Sequence, residues 1–381
     1  MPKLIGLSLF ANVGVAEALF SEIGVEVLLA NELDKKRADF YSELYPNSKM
    51  ICGDITDDNI RTEIINEAIK EKINFVIATP PCQGMSEAGK RSAFDERNQL
   101  ITYAIDVIKR VNPDFIFIEN VPTSLKTKIK VDDEIILIPD YIKKELQEFY
   151  NFNEETLVKA MDHGVPQMRQ RNIFLITKKE LNIVWEFPPQ QKIITLRDAL
   201  ESLPSVDPLL REGLDFTLEK FPNYLEKRDK ALEVSKWHRP PVHSWRQVLW
   251  MMNTPSATSA IYNKVFYPQK ENGIPIKAHH NNYRRMDWDK PSRTMTQNNG
   301  VISSLCCVHP GREYRTNLNE IQYSDPRVLT IHELLIVSSI PLDWPIPDWA
   351  KENFIRKVIG EGIPSLLVKN IMISLINKLK E

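Results

Sequence analysis

The chain has 381 residues, 43% hydrophobic and 26% charged, a composition inside the ordinary globular range and a length beyond one comfortable core, so two lobes are expected. A formal net charge of -2 excludes a surface that is basic throughout, so a nucleic-acid ligand would need basic residues gathered in one place. The four cysteines, Cys52, Cys82, Cys306 and Cys307, form no CxxC pair and no Cys/His spacing of the kind that builds a zinc site, so neither a disulfide framework nor a metal is expected.

Met1-Pro2-Lys3 leads into a short apolar run without a signal-peptide layout, and no apolar stretch approaches the roughly 18 residues that cross a bilayer. The expectation is a cytoplasmic protein that meets no membrane. From Lys3 to about Thr177, short apolar runs (Leu4 to Leu9, Val25 to Ala30, Phe75 to Ala78, Phe115 to Glu119, Ile173 to Thr177) alternate with amphipathic stretches such as Leu100 to Val111. Runs that are apolar on both faces predict strands of an α/β fold, a mostly parallel sheet with helices on both sides.

The first strand ends in Ser8-Leu9-Phe10-Ala11-Asn12-Val13-Gly14-Val15 and is predicted to enter a helix at about Ala16, where an open α/β sheet takes a nucleotide-like ligand. A pyrophosphate-binding fingerprint needs three glycines and only Gly14 is present, which suits a nucleoside ligand without a pyrophosphate. Glu32, past the second strand, stands where it could take both ribose hydroxyls, and Asp54 where it could accept from an adenine amino group. Next, Phe75 to Ala78 runs into Thr79-Pro80-Pro81-Cys82-Gln83-Gly84-Met85-Ser86. Two prolines end the strand and present Cys82 at the carboxyl edge of the sheet.

The strand from Phe115 delivers Glu119-Asn120-Val121 to that edge. In Gln167-Met168-Arg169-Gln170-Arg171 the two arginines alternate and share a side if the segment is extended, placing cations near the thiol. At Trp185 to Gln191 the texture changes, which predicts a domain boundary. Between Lys230 and Trp288 nine Lys/Arg stand against three acids, interleaved with Trp237, Trp245, Trp250, Tyr262, Phe266 and Tyr283. After Pro364 a helical pattern (Leu366, Leu367, Ile371, Leu375, Leu379) predicts a helix returning to the first lobe.

Phe10 to Gly14, Pro80-Pro81-Cys82-Gln83-Gly84, Glu119-Asn120-Val121 and Gln167-x-Arg169-x-Arg171 resemble, in this order, the motifs of the cytosine-C5 DNA methyltransferases of bacterial restriction-modification systems. Asp289 to Thr294, Arg327 to Glu333 and Gly360-Glu361-Gly362-Ile363-Pro364 look like further motifs, so the resemblance spans nearly the whole chain except about 190 to 285. It implies a Rossmann-like, S-adenosylmethionine-dependent catalytic domain of residues 1–186 completed by 351–381. A smaller, irregular target-recognition domain would fill 187–350.

The resemblance also implies S-adenosylmethionine as cofactor, S-adenosylhomocysteine as its product, no metal, and 5-methylcytosine in double-stranded DNA. Carbon 5 of cytosine is a poor nucleophile until a thiolate adds to carbon 6, the role carried over to Cys82. Glu119 would hold the ring, Arg169 and Arg171 would anchor the base and the catalytic loop, and Gln83 and Ser86 would lie on the loop closing over a flipped-out base. Phe10, Asn12, Gly14, Glu32, Asp54 and Pro80 would line the cofactor, and Arg293 would meet DNA. A cognate restriction endonuclease acting on the same site and a monomeric state are expected. Three departures stand out: few glycines around Asn12, Thr79 in place of Gly, and Glu361 in place of Asn.

A tRNA-modifying enzyme built on the same motifs would tend to lack the long insert. A nicotinamide dehydrogenase would leave Pro80-Pro81-Cys82 unexplained, an amino-directed methyltransferase would show an aromatic residue for Cys82, and a DNA-binding module would tolerate loss of both Cys82 and Glu119.

Overall fold

The computed structural model describes residues 3–81 and 96–380. The apolar runs become β1 (Leu4–Leu9), β2 (Val25–Glu32), β3 (Lys49–Cys52), β4 (Phe75–Ala78) and β5 (Phe115–Asn120). A hairpin of β6 (Lys128–Val131) and β7 (Glu134–Leu137) follows, then β8 (Tyr150–Phe152), β9 (Leu157–Lys159) and β10 (Gln170–Lys178). The main sheet has the order β3-β2-β1-β4-β5-β10-β8, with β9 also on β10. Its first five strands are parallel, while β10 runs antiparallel to β5, with Ile173 opposite Glu119. The start of β10 therefore lies at the same edge as the ends of β4 and β5.

Side chains alternate across the sheet and both faces are covered, which explains why the strands read as unbroken apolar runs. Val76, Ala78, Ile116, Ile118, Phe174 and Ile176 pack with α2 (Asp58–Lys70), α3 (Leu100–Val111) and α4 (Ile138–Leu146); α1 (Lys35–Leu44) precedes these three in the chain. Phe75, Ile77, Phe115, Phe117, Ile173 and Leu175 pack on the other side with Trp185 and with Leu367, Ile371 and Leu375 near the carboxyl terminus. The Trp185 indole N–H donates to the Ile371 carbonyl at 3.1 Å, so the last helix does return to the sheet.

Two sequence expectations need correction. The helix predicted from Ala16 is a run of turns with three-residue spacing, Glu17 N–H to Gly14 O and Phe20 N–H to Glu17 O. Val13, Val15, Glu17 and Phe20 are all buried, a spacing that no single face of a 3.6-residue helix satisfies. Also, Glu352–Lys378 contains an 18-residue window apolar enough to cross a membrane, contrary to the reading above. More than half of that window is buried in the protein, and the stretch breaks at Gly362–Pro364 into two helices. Gly362 sits so close to Val15 that a Cβ there would approach the valine side chain to 2.7 Å.

Beyond Trp185 the elements are short: α5 (Leu196–Leu200), α6 (Leu214–Lys220), α7 (Tyr224–Val234), α8 (Trp245–Met252), α9 (Ile331–Val337), then α10 (Glu352–Glu361) and α11 (Ser365–Lys378). Among the described residues, 263–312 contain no helix or strand, yet Trp250, Met251, Tyr283, Ile302, Cys307 and Val308 form a buried cluster. A second cluster joins Val13, Val15 and Phe40 to Met286, Trp288, Met295, α9 and α10, and so fastens the irregular region to the loop after β1. Beneath it Arg327, wholly buried, pairs with Glu333 at 2.7 Å and Asp325 at 3.0 Å. Against the upward push of burial, Arg327 holds the Glu333 carboxyl down at about 2.

Candidate active site

The loop after β1 turns sharply, with positive φ at Phe10, Asn12 and Gly14. Gly14 is required twice over: its φ is +73°, and a Cβ would lie 2.2 Å from the Tyr45 ring. Glu32 closes β2 and is buried; its carboxylate accepts from the backbone N–H of Asn12 at 2.8 Å and of Asp34 at 2.9 Å. Each Glu32 oxygen thus keeps accepting capacity for a hydroxyl. Among the described residues, buried Asn12 Oδ1 has no hydrogen-bond partner, an acceptor facing a gap in the hydrogen bonding. Asp54 is exposed after β3, where Gly53 N–H is tied to the Glu32 carbonyl at 3.0 Å.

Glu361, where the expected motif has Asn, accepts from Asn12 Nδ2 at 3.3 Å and pairs with Arg37 at 2.9 Å. The carboxyl-terminal segment therefore closes on the loop after β1 through a neutralised acid. Thr79 N–H donates to the Leu9 carbonyl and its hydroxyl to the Phe10 carbonyl at 3.1 Å, so the threonine joins the ends of β1 and β4.

Pro80 is buried at the end of β4, and Asn120 Nδ2 donates to its carbonyl at 3.2 Å. Next to it Glu119 Oε1 lies 2.5 Å from Arg171 Nε, with both side chains about a tenth exposed. An ion pair this dry holds the Glu119 carboxylate in place by charge, since Arg171 Nε makes no hydrogen bond among the described residues. Arg169 is buried and donates to two carbonyls, Met295 O and Glu361 O, each at 2.8 Å. It clasps the irregular region to the carboxyl-terminal segment, a position that the alternation of arginines does not reveal. Cys82, Gln83 and Ser86 lie outside the described residues. The structure thus gathers Phe10, Asn12, Gly14, Glu32, Pro80, Glu119, Arg169 and Arg171 at one edge of the sheet, with Asp54 at its exposed rim.

Two residues were given no role in the sequence reading, one of them inside a matched motif. Gln167 is buried; its Oε1 accepts from Met295 N–H and its Nε2 donates to Val337 O at 3.1 Å, while Ser292 exchanges backbone bonds with Pro166 and Met168. Arg293, exposed, stands between these contacts. Glu17 lies in the loop after β1, and burial pushes its carboxyl up to about 7 despite donors at Ser8 and Tyr41. The only available signal was an acid among apolar neighbours.

The family model described as C-5 cytosine-specific DNA methylase matches residues 5–377. The chain is 40% identical to the Type II methyltransferase M1.HgaI of Avibacterium volantium over 99% of each protein. It is 26% identical to the Type II methyltransferase M.XorII of Xanthomonas oryzae over 97% of this chain and 84% of the other. Among solved structures, an E. coli prophage protein described as a DNA modification methyltransferase superimposes with a TM-score of 0.67 at 19% identity, over 99% of this chain and 100% of the other. The Entamoeba histolytica methyltransferase EhMeth gives 0.60 at 14%, over the whole of both chains. At such identities the structural likeness speaks for the fold.

Proposed function

The chain belongs to the C-5 cytosine-specific DNA methylase family and is a DNA cytosine-C5 methyltransferase of restriction-modification type; from that premise we propose how its own residues carry out the reaction. S-adenosylmethionine is the methyl donor. The residues at the edge fit it: Glu32 has free accepting capacity for ribose hydroxyls, and Asn12 Oδ1 is a buried acceptor without a donor among the described residues. Asp54 takes the adenine amino group, and Phe10, Gly14 and Pro80 line the cofactor. When bound, the cofactor supplies an electrophilic methyl group.

The target cytosine is extruded from duplex DNA at a cost of roughly a few kcal/mol, with Gln83 and Ser86 on the loop that covers it. The Cys82 thiolate adds to carbon 6, making carbon 5 nucleophilic; after methylation, loss of the carbon 5 proton expels the thiolate. Glu119, held by Arg171, engages the exocyclic amine and ring nitrogen 3 and so favours the electron-poor ring. Arg169 positions the surrounding segments. Residues 1–186 with 351–381 form the catalytic domain and 187–350 the recognition domain, in a monomer acting in the cytoplasm beside an endonuclease of the same specificity.

The observation that carries this reading is the buried Glu119–Arg171 pair beside Pro80, the residue two positions before Cys82. Cys82→Ala is expected to abolish methyl transfer while leaving S-adenosylhomocysteine affinity within about twofold, because the thiol acts on the base alone. Wild-type protein should form a covalent complex with duplex DNA containing 5-fluorocytosine, since fluorine blocks the final elimination. Methyl transfer by the alanine variant, or no trapped complex at the methylated site, would overturn the mechanism.

A further inference from the structure

Basic residues in the irregular region differ in whether they have acidic partners. Lys230, Lys236 and Arg239 pair with Glu226, Asp348 and Glu352. Among the described residues, Arg246, Lys264, Lys270, Lys277, Arg284 and Arg293 form no ion pair. These cations are set against a polyanion by chemistry alone.

Arg284 differs from the rest in the rigidity of its mounting. Tyr283 and Arg285, on either side, are buried, while Arg284 itself is half-buried. Arg285 donates to the carbonyls of Met251, His309, Tyr323 and Asp325, while Ala260 N–H bonds Tyr283 O and Arg285 N–H bonds Thr258 O. Asn282 ties the neighbouring loops together: its Nδ2 donates to Ser303 O, its carbonyl accepts from Ser259 Oγ, and its Oδ1 accepts from His279 N–H. The Arg284 guanidinium also lies against the Cys306 thiol, where burial raises the thiol's pKa and Arg284 and Arg293 oppose the rise. Half-buried and braced on both sides, Arg284 loses little freedom on binding, whereas exposed lysines such as Lys264 and Lys277 lose much.

Resting on the DNA-methyltransferase reading above, we propose that Arg284 reads a guanine edge in the major groove and fixes one position of the target sequence, while exposed Arg293, next to the catalytic strand, grips a phosphate near the extruded base. A preorganised guanidinium meets the two acceptors of guanine at once, a match that an ammonium group lacks.

Bisulfite sequencing of DNA from cells expressing the full chain first maps the wild-type motif. Dissociation constants are then measured for that duplex and for duplexes altered at one base pair each. Arg284→Ala and Arg284→Lys are both expected to lose roughly ten- to hundredfold discrimination at one position and none elsewhere. The lysine variant decides the matter if the alanine variant fails to fold. Arg293→Ala should weaken all duplexes alike and flatten the slope of log Kd against log salt by about 0.9. Unchanged discrimination at every position in the lysine variant overturns the proposal, whereas a wild-type protein that methylates no DNA overturns the reading on which it rests.

Discussion

On the sheet side of the molecule, Lys3, Lys35, Lys49, Arg61, Lys109 and Lys144 each reach an acid within 3.2 Å. In the irregular region Lys230, Lys236 and Arg239 also pair with acids, but Arg246, Lys264, Lys270, Lys277, Arg284 and Arg293 reach none among the described residues. Exposed pairs of the first kind contribute roughly 0–1 kcal/mol each, so their main effect is to cancel charge locally. A chain with a net charge of -2 can still bind a polyanion, because the stretch from Lys230 to Trp288 carries nine Lys/Arg against three acids. The proposed function turns this difference into a division of labour, with chemistry assigned to strand ends and target choice to braced loops.

The sharpest attempt to break that division is Glu119→Gln. Removing the carboxylate is expected to slow methyl transfer by about 10²–10⁴-fold while the methylated motif stays the same, as single-turnover rates and bisulfite sequencing would show. A changed motif would mean that the sheet edge also selects sequence.

Glu17 gives the next largest effect. Its carboxyl is raised from the ordinary 4.5 to about 7, so the folded state holds a proton that the unfolded chain has released. The associated stability is complete below pH 4.5 and is lost as pH rises through about 7, a difference of up to about 3 kcal/mol. Thermal unfolding of Glu17→Gln should accordingly depend less on pH over this range than that of the wild type. Equal pH dependence in the two proteins would remove Glu17 as the cause.

The smallest effect is expected from Lys264→Ala and Lys277→Ala. Each should lower the salt slope of DNA binding by about 0.9, with the transfer rate at saturating DNA unchanged. An altered rate would mean that the recognition side reaches into the chemistry.

Much of the sheet was legible because strands covered on both faces announce themselves as apolar runs; Leu4–Leu9 and Phe75–Ala78 coincide with their sequence readings. The direction of β10 was not legible, since an apolar strand carries no arrow. The helix expected at Ala16 failed because burial of Glu17 and Val15 overrides local periodicity. The site residues could be named from ordered motifs, but Gln167 and Asn282 act through backbone carbonyls distant in sequence, which no local pattern encodes. Arg284 looked like its basic neighbours until the burial on either side of it was known.

The two carbonyls held by Arg169 belong to Met295 and Glu361, and a Cβ on Gly360 would meet the Thr296 carbonyl at 2.2 Å. Residues 292–299 are thus part of the joint between the two regions as much as part of the proposed recognition region. Anyone transplanting a new specificity from a relative should cut upstream of this stretch and leave the host's own Ser292 to Asn299 in place. A graft that replaces it must bring its own partner for Gly360, or the chimaera will inherit a reader that no longer seats on its engine.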